Sequence, residues 1–200
     1  LEKKTKKPKM KYKFRHFAII GCGLSGSSLL QSILNKHSEV IVMFEQYSKS
    51  PDYFTLWIEE KYEHEKRGVT FGIKNPVEVL INNNWPEEKI LEISDYFFVI
   101  WNLRKFSGYL DSAKRRSTFI HPKAKEFWDK SNELYWKVRE RHPDKLLSLN
   151  FEELVTYPKR EIIRMCDFLN IEFEPEMLDV KHNDKLRYSN GKILAEKAFI

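Results

Sequence analysis

The sequence predicts an α/β domain built on a mostly parallel sheet with helices on both faces, a three-layer arrangement. Three observations carry this. Apolar runs of strand length alternate with amphipathic stretches of helical spacing from Phe14 onward. The strand candidates are apolar at successive positions, as strands covered on both faces are, rather than alternating. A glycine-rich turn, Gly21-Cys22-Gly23-Leu24-Ser25-Gly26, joins the first strand candidate to the first helix candidate.

The elements follow in order. Phe17-Ala18-Ile19-Ile20 reads as a strand that the Gly21-Cys22-Gly23 break ends. Ser27 to Lys36 reads as a helix with Leu29, Leu30, Ile33 and Leu34 on one face. Val40 to Phe44 is a second strand, Tyr53 to Lys66 a helix, and Val69 to Ile73 a third strand stopped by Asn75-Pro76. Tyr96 to Leu103 is aromatic and β-branched with few charges, a further strand. Pro122 opens a helix that keeps three-to-four spacing through Ala124, Phe127, Trp128, Ser131, Tyr135 and Val138. Leu146 to Leu149 is a strand, and Pro158 opens a helix carrying Ile162, Ile163, Cys166 and Leu169, with Asn170 placed to close it in a left-handed conformation.

Composition narrows the class. In 200 residues, 42% hydrophobic content beside 32% charge excludes general disorder, and no run nears the ~18 apolar residues of a membrane span. Cys22 and Cys166 are too few for a disulfide framework, no Asn-x-Ser/Thr sequon occurs, and the basic start lacks the apolar stretch of a signal peptide. These absences point to the cytoplasm. Of the +6 formal charge, the first fifteen residues hold +7, where Lys3, Lys4, Lys6, Lys7, Lys9, Lys11, Lys13 and Arg15 face only Glu2, and the remaining 185 sum to −1. Residues 1–13 are expected to be a basic, disordered leader, or an electrostatic tether, and residues 14–200 a single domain. Specific nucleic-acid binding is not expected, because the body of the domain is near neutrality. Oligomeric state is not legible.

Two templates fit the glycine loop. Gly21, Gly23 and Gly26 meet G-x-G-x-x-G, with Glu45 at the end of the next strand where a dinucleotide fold holds a ribose. Gly21, Gly26 and Ser28 meet the phosphate-loop frame G-x-x-x-x-G-K-S/T, except that Ser27 replaces the lysine. Without that lysine, ordinary nucleoside-triphosphate chemistry is not expected. In either frame the loop and the helix N-terminus offer amides to an anion. A purely structural tight turn is the third reading.

The rest of the chain resembles the sulfotransferases that use 3′-phosphoadenosine 5′-phosphosulfate (PAPS), closest in layout to the tyrosylprotein and carbohydrate types. Their loop, G-x-P-R-S-G-T-T followed by L-L, is similar to Gly21-Cys22-Gly23-Leu24-Ser25-Gly26-Ser27-Ser28-Leu29-Leu30. Their strand ending Lys-x-Pro is matched by Lys74-Asn75-Pro76. A strand ending in Arg with Ser eight residues on, and at times a further Arg, is matched by Arg104, Ser112 and Arg116. A strand leading into Y-E-D-L, then Pro, then a helix ending F-L-G is matched by Phe151-Glu152-Glu153-Leu154, Pro158 and Phe168-Leu169-Asn170.

The resemblance implies a P-loop-NTPase-like sulfotransferase fold and transfer of a sulfuryl group from PAPS to an acceptor hydroxyl on a carbohydrate, a tyrosine or a small molecule, with no metal. It implies that Gly23, Leu24, Ser25, Gly26, Ser27 and Ser28 cradle the phosphosulfate end and that Arg104, Ser112 and Arg116 hold the 3′-phosphate. Ser112 and Arg116 stand i, i+4 on one helix face, although Lys114-Arg115-Arg116 also reads as a solvated basic helix end. The register of this segment is open by two residues, since Trp101-Asn102-Leu103-Arg104 can be laid on the family's R-N-P-R. By the same resemblance Lys74 supplies charge at the sulfate and Glu45 takes the acceptor's proton. Leu24 departs from the family, which has Arg or Lys there; losing such a donor typically costs ~10²–10³ in rate. Two alternatives stay open: an FAD- or NAD-binding Rossmann-type oxidoreductase, and a catalytically slow PAPS-binding protein.

Overall fold

The computed structural model describes residues 14–43, 54–116, 121–180, 185–189 and 192–196. Five strands, β1 (Phe17–Gly21), β2 (Val40–Met43), β3 (Thr70–Pro76), β4 (Phe98–Leu103) and β5 (Leu146–Asn150), form one sheet in the order β2-β3-β1-β4-β5. Every pairing in it is parallel. The helices are α1 (Ser27–Leu34), α2 (Phe54–Lys66), α3 (Val77–Asn82), α4 (Glu87–Tyr96), α5 (Phe106–Arg116), α6 (Ala124–Arg141), α7 (Phe151–Thr156) and α8 (Pro158–Leu169). Near the end, β6 (Lys185–Ser189) pairs antiparallel with β7 (Lys192–Glu196).

Strand periodicity explains the layers. Successive side chains point to opposite faces, so each doubly covered strand feeds two cores. Ala18, Ile20, Phe71, Ile73, Val99 and Trp101 join Trp57, Leu80, Ile90 and Leu134 on one face. Phe17, Ile19, Val42, Ile100, Leu147 and Leu149 join Leu30, Ile33, Leu154 and Ile162 on the other. Trp57 and Trp101 are both core residues, nearly fully buried. Asn170 closes α8 at φ 59°, ψ 40°, the left-handed cap. Asn150 caps α7, its side chain accepting from the Glu152 and Glu153 amides.

Strand order corrects the dinucleotide alternative. In a Rossmann sheet β2 lies beside β1. Here β3 and β4 flank β1 and β2 is at the edge of the sheet, so the strand order is not the one the dinucleotide template requires. Two boundaries also differ from the sequence reading. β3 continues through Asn75 and Pro76 as the parallel partner of Ile20 and Gly21. Proline is tolerated there because it ends the strand and precedes the first turn of α3. The run from Tyr96 splits, with Tyr96 closing α4 and Phe97 turning extended before β4. The aromatic character of this run hides a helix end whose buried face is Ile90, Leu91 and Ile93. Among the described residues no helix is long and apolar enough to cross a membrane.

Candidate active site

The central strand β1 delivers the glycine loop to the edge of the sheet where β3 and β4 also end. Gly21 has φ 146° and a Cβ there would stand 2.4 Å from the Asn102 carbonyl oxygen. Gly26 has φ 99° and a Cβ would stand 2.3 Å from the Phe151 ring. Both positions therefore demand glycine twice, for conformation and for space. Leu24 sits between them in the left-handed region, at φ 61°.

Several contacts pin the loop's polar groups. The Ser25 amide and hydroxyl both donate to the Cys22 carbonyl, at 3.3 and 2.5 Å. The Asn102 side-chain amide donates to the Ser25 carbonyl at 2.7 Å. Arg104 Nη1 donates to the Leu24 carbonyl at 2.5 Å, and its guanidinium lies 4.3 Å from the centre of the Phe151 ring. The Gly23 amide donates to Glu78 Oε2 at 2.5 Å. The first α-helical bond runs from the Leu30 amide to the Gly26 carbonyl. The amides of Ser27, Ser28 and Leu29 thus belong to the first turn of α1, where no intrahelical acceptor exists. The loop is pinned by these contacts and leads into donors at a helix N-terminus, an arrangement suited to an anion.

Lys74 is the cation placed beside it. Ile73 enters the core on one face of β3, so Lys74 points to the other, towards α1. It is 2% exposed, and its Nζ donates to Ser28 Oγ at 3.3 Å, on the first turn of α1. Asn102 stands opposite Gly21 in the β1–β4 register. Ser112 is buried in α5 and Arg116 is the last residue of that helix. Trp128 donates its indole N–H to the Arg104 carbonyl at 3.1 Å, anchoring the turn between β4 and α5.

The sequence-derived residues divide as follows. Gly23, Leu24, Ser25, Gly26, Ser27, Ser28, Lys74 and Arg104 come together at the C-terminal edge of the sheet. Glu45 and the 1–13 leader lie outside the described residues. Leu24 is explained by packing: with Phe106, Leu110 and Trp128 it covers a small cluster of Cys22, Tyr109, Ala113 and Ala124. Cys22 is inert, because burial and then the Glu78 charge push its thiol pKa up.

Three residues escaped the sequence reading. Glu78, the second residue of α3, is 2% exposed and accepts from Gly23 and from the Tyr109 hydroxyl at 3.0 Å. Tyr109 is fully buried; burial and the Glu78 charge raise its pKa and keep it a donor. Asn102 was only an alternative register. The spacing of Glu78 four residues after Lys74 was visible, but reading Asn75-Pro76 as a stop concealed the helix that presents it. Among the described residues no cluster of three or more His, Cys, Asp or Glu could hold a metal ion.

Comparison with known proteins bears on the family and the fold. The family model described as the sulfotransferase domain matches residues 93–192, half of the chain. The sulfotransferase domain from the curacin biosynthetic pathway superposes with a TM-score of 0.68 at 17% identity, covering 88% of this chain and 81% of that one. The sulfotransferase domain of the Synechococcus PCC 7002 olefin synthase gives 0.66 at 17% identity, covering 88% and 80%. Mouse sulfotransferase SULT7A1, solved with PAP, gives 0.50 at 15% identity, covering 82% and 62%. No curated protein matches the chain in sequence.

Proposed function

The chain belongs to the sulfotransferase domain family, and from that premise we propose that it carries a sulfuryl group from PAPS to a hydroxyl of a carbohydrate, a tyrosine or a small-molecule acceptor. One observation carries the donor assignment: the buried Lys74 ammonium touches Ser28 on the first turn of α1, beside a loop whose amides and glycines form an anion cradle. The fit rests on the turn at Gly26, which lies at φ 99° against the Phe151 ring where even a methyl group would collide, so only glycine makes the turn that leads into the Ser27 and Ser28 amides.

Each residue then has a task. The amides of Leu24, Gly26, Ser27 and Ser28 and the hydroxyls of Ser27 and Ser28 hold the phosphosulfate end, while the Gly23 amide and the Ser25 amide and hydroxyl shape the loop through Glu78 and the Cys22 carbonyl. Arg104, Ser112 and Arg116 hold the 3′-phosphate. PAPS, when bound, supplies the activated sulfuryl group. Lys74 stabilises negative charge on the oxygens around the sulfur, and Glu45 accepts the proton of the attacking hydroxyl. Leu24 contributes packing and no charge, so charge stabilisation falls to Lys74.

A thermal-shift titration with 3′-phosphoadenosine 5′-phosphate (PAP), beside ADP, NAD and FAD, tests the nucleotide. At about 100 times its dissociation constant a ligand stabilises by ~2.7 kcal/mol. A shift that requires the 3′-phosphate supports the reading; a response to NAD or FAD alone overturns it. Sulfuryl transfer across carbohydrate, tyrosine-peptide and phenolic acceptors then separates the acceptor classes. PAP binding without turnover on any of them would favour the slow, PAPS-binding alternative that Leu24 raises.

A further inference from the structure

Glu78 is not a member of any motif that the sequence shares with the sulfotransferases, yet its carboxylate is in contact with the glycine loop. Its two oxygens have different clients. Oε2 receives the Gly23 amide of the loop, and Oε1 receives the Tyr109 hydroxyl of α5 at 3.0 Å. The loop is the phosphosulfate cradle of the reading above. The helix is the one that carries Ser112 and Arg116, and Tyr109 lies one turn before Ser112 on its buried side. The loop and α5 are far apart in sequence, and Glu78 stands on a third element, α3.

A carboxylate in this place is costly unless it is structural to the site. It is 2% exposed, so its charge must be met by strong donors. It sits in the first turn of α3 and accepts two hydrogen bonds, both of which strengthen when the acceptor is ionised. With both oxygens engaged and almost no solvent access, it is poorly disposed to take a proton from an acceptor. What it can do is transmit position.

We propose that Glu78 is a positioning residue that couples the two ends of the nucleotide site, fixing the loop through Gly23 and the 3′-phosphate helix through Tyr109. The proposal rests on the PAPS reading above. Its signature is specific: losing the bridge lets α5 drift relative to the loop, so one nucleotide can no longer satisfy both ends at once. The affinity gained from the 3′-phosphate shrinks, while binding through the 5′ end survives.

The test is the ratio of dissociation constants for adenosine 5′-phosphate and PAP, measured by calorimetry on the wild type, Glu78→Gln and Tyr109→Phe. Two charge-assisted contacts predict a wild-type ratio of about a hundredfold. Each variant is expected to bring the ratio down to about tenfold, and the double variant to lower it no further, because both remove the same bridge. Tyr109→Phe deletes one oxygen and keeps the ring, so it decides the matter even if Glu78→Gln fails to fold. A wild-type ratio near one overturns both this proposal and the PAPS reading. A high ratio kept by the variants, including the case where both nucleotides weaken equally, overturns the coupling alone.

Discussion

The two edges of the sheet handle polar groups in opposite ways. Where β1, β4 and β5 begin, charge meets charge. Arg141 grips Asp95 with two nitrogens, at 3.0 and 2.7 Å, and His142 adds a third contact at 2.7 Å. Lys61 and Lys145 donate to the last carbonyls of α4, at Tyr96, Ser94 and Asp95. These cations satisfy orphan acceptors and complement the helix dipole. Where β1, β3 and β4 end, the partners of Lys74 and Arg104 include a hydroxyl, a carbonyl and an aromatic ring, and the donors are backbone amides on a glycine-rich turn. The first edge is arranged to close a fold. The second keeps donors at a helix N-terminus on a turn pinned by hydrogen bonds, at the end of the sheet where ligands sit in open α/β sheets.

Substitutions at the end edge are expected to strike activity first. Lys74→Met preserves the buried stem and removes the charge, and should lower turnover by about 10²–10³ while the protein remains folded by circular dichroism. Unchanged turnover would erase the contrast between the edges. Gly26→Ala forces a side chain into φ 99° and into the Phe151 ring, and should cost about 3 kcal/mol in denaturant unfolding. The loss should shrink in a Phe151→Ala background, where the obstructing ring is gone.

The start edge is expected to respond to pH instead. His16 is 3% exposed, its Nδ1 accepts from the Phe71 amide, and burial followed by the nearby Lys61 charge lowers its pKa to about 4. Because its folded pKa lies below its unfolded value, the unfolded chain binds the proton more tightly. Stability from this group is complete above about pH 6.5 and falls as pH drops towards about 4, by about 2 kcal/mol at pH 5. Chemical denaturation across that range should show a shallower pH slope in His16→Asn; an identical slope would refute the assignment. The smallest effect belongs to Arg141→Ala. Its pairs with Asp95 and Glu88 are partly solvent-exposed, so at most about 1 kcal/mol should be lost, less at high salt.

Elements with a one-residue logic were legible from the chain. The apolar runs of β1, β2 and β5 marked strands, Pro158 and Asn170 marked both ends of α8, and three glycines in six residues marked a turn that side chains could not make. The resemblance to the sulfotransferases also brought Lys74 and Arg104 into consideration as cations at strand ends. What spacing could not supply was adjacency. Whether β2 or β3 lies beside β1 depends on long-range pairing, and that choice separated the two templates for the same glycine loop. Leu24 read as a missing charge until its neighbours from α5 and α6 showed it to be a packed side chain. Glu78 read as one acid among many until its two oxygens met a loop amide and a hydroxyl contributed by separate elements. Local sequence determined the strands and the turn because backbone sterics and periodicity act over a few residues. The tertiary structure decided which of them share a site, because burial and hydrogen bonding join residues that the chain keeps far apart.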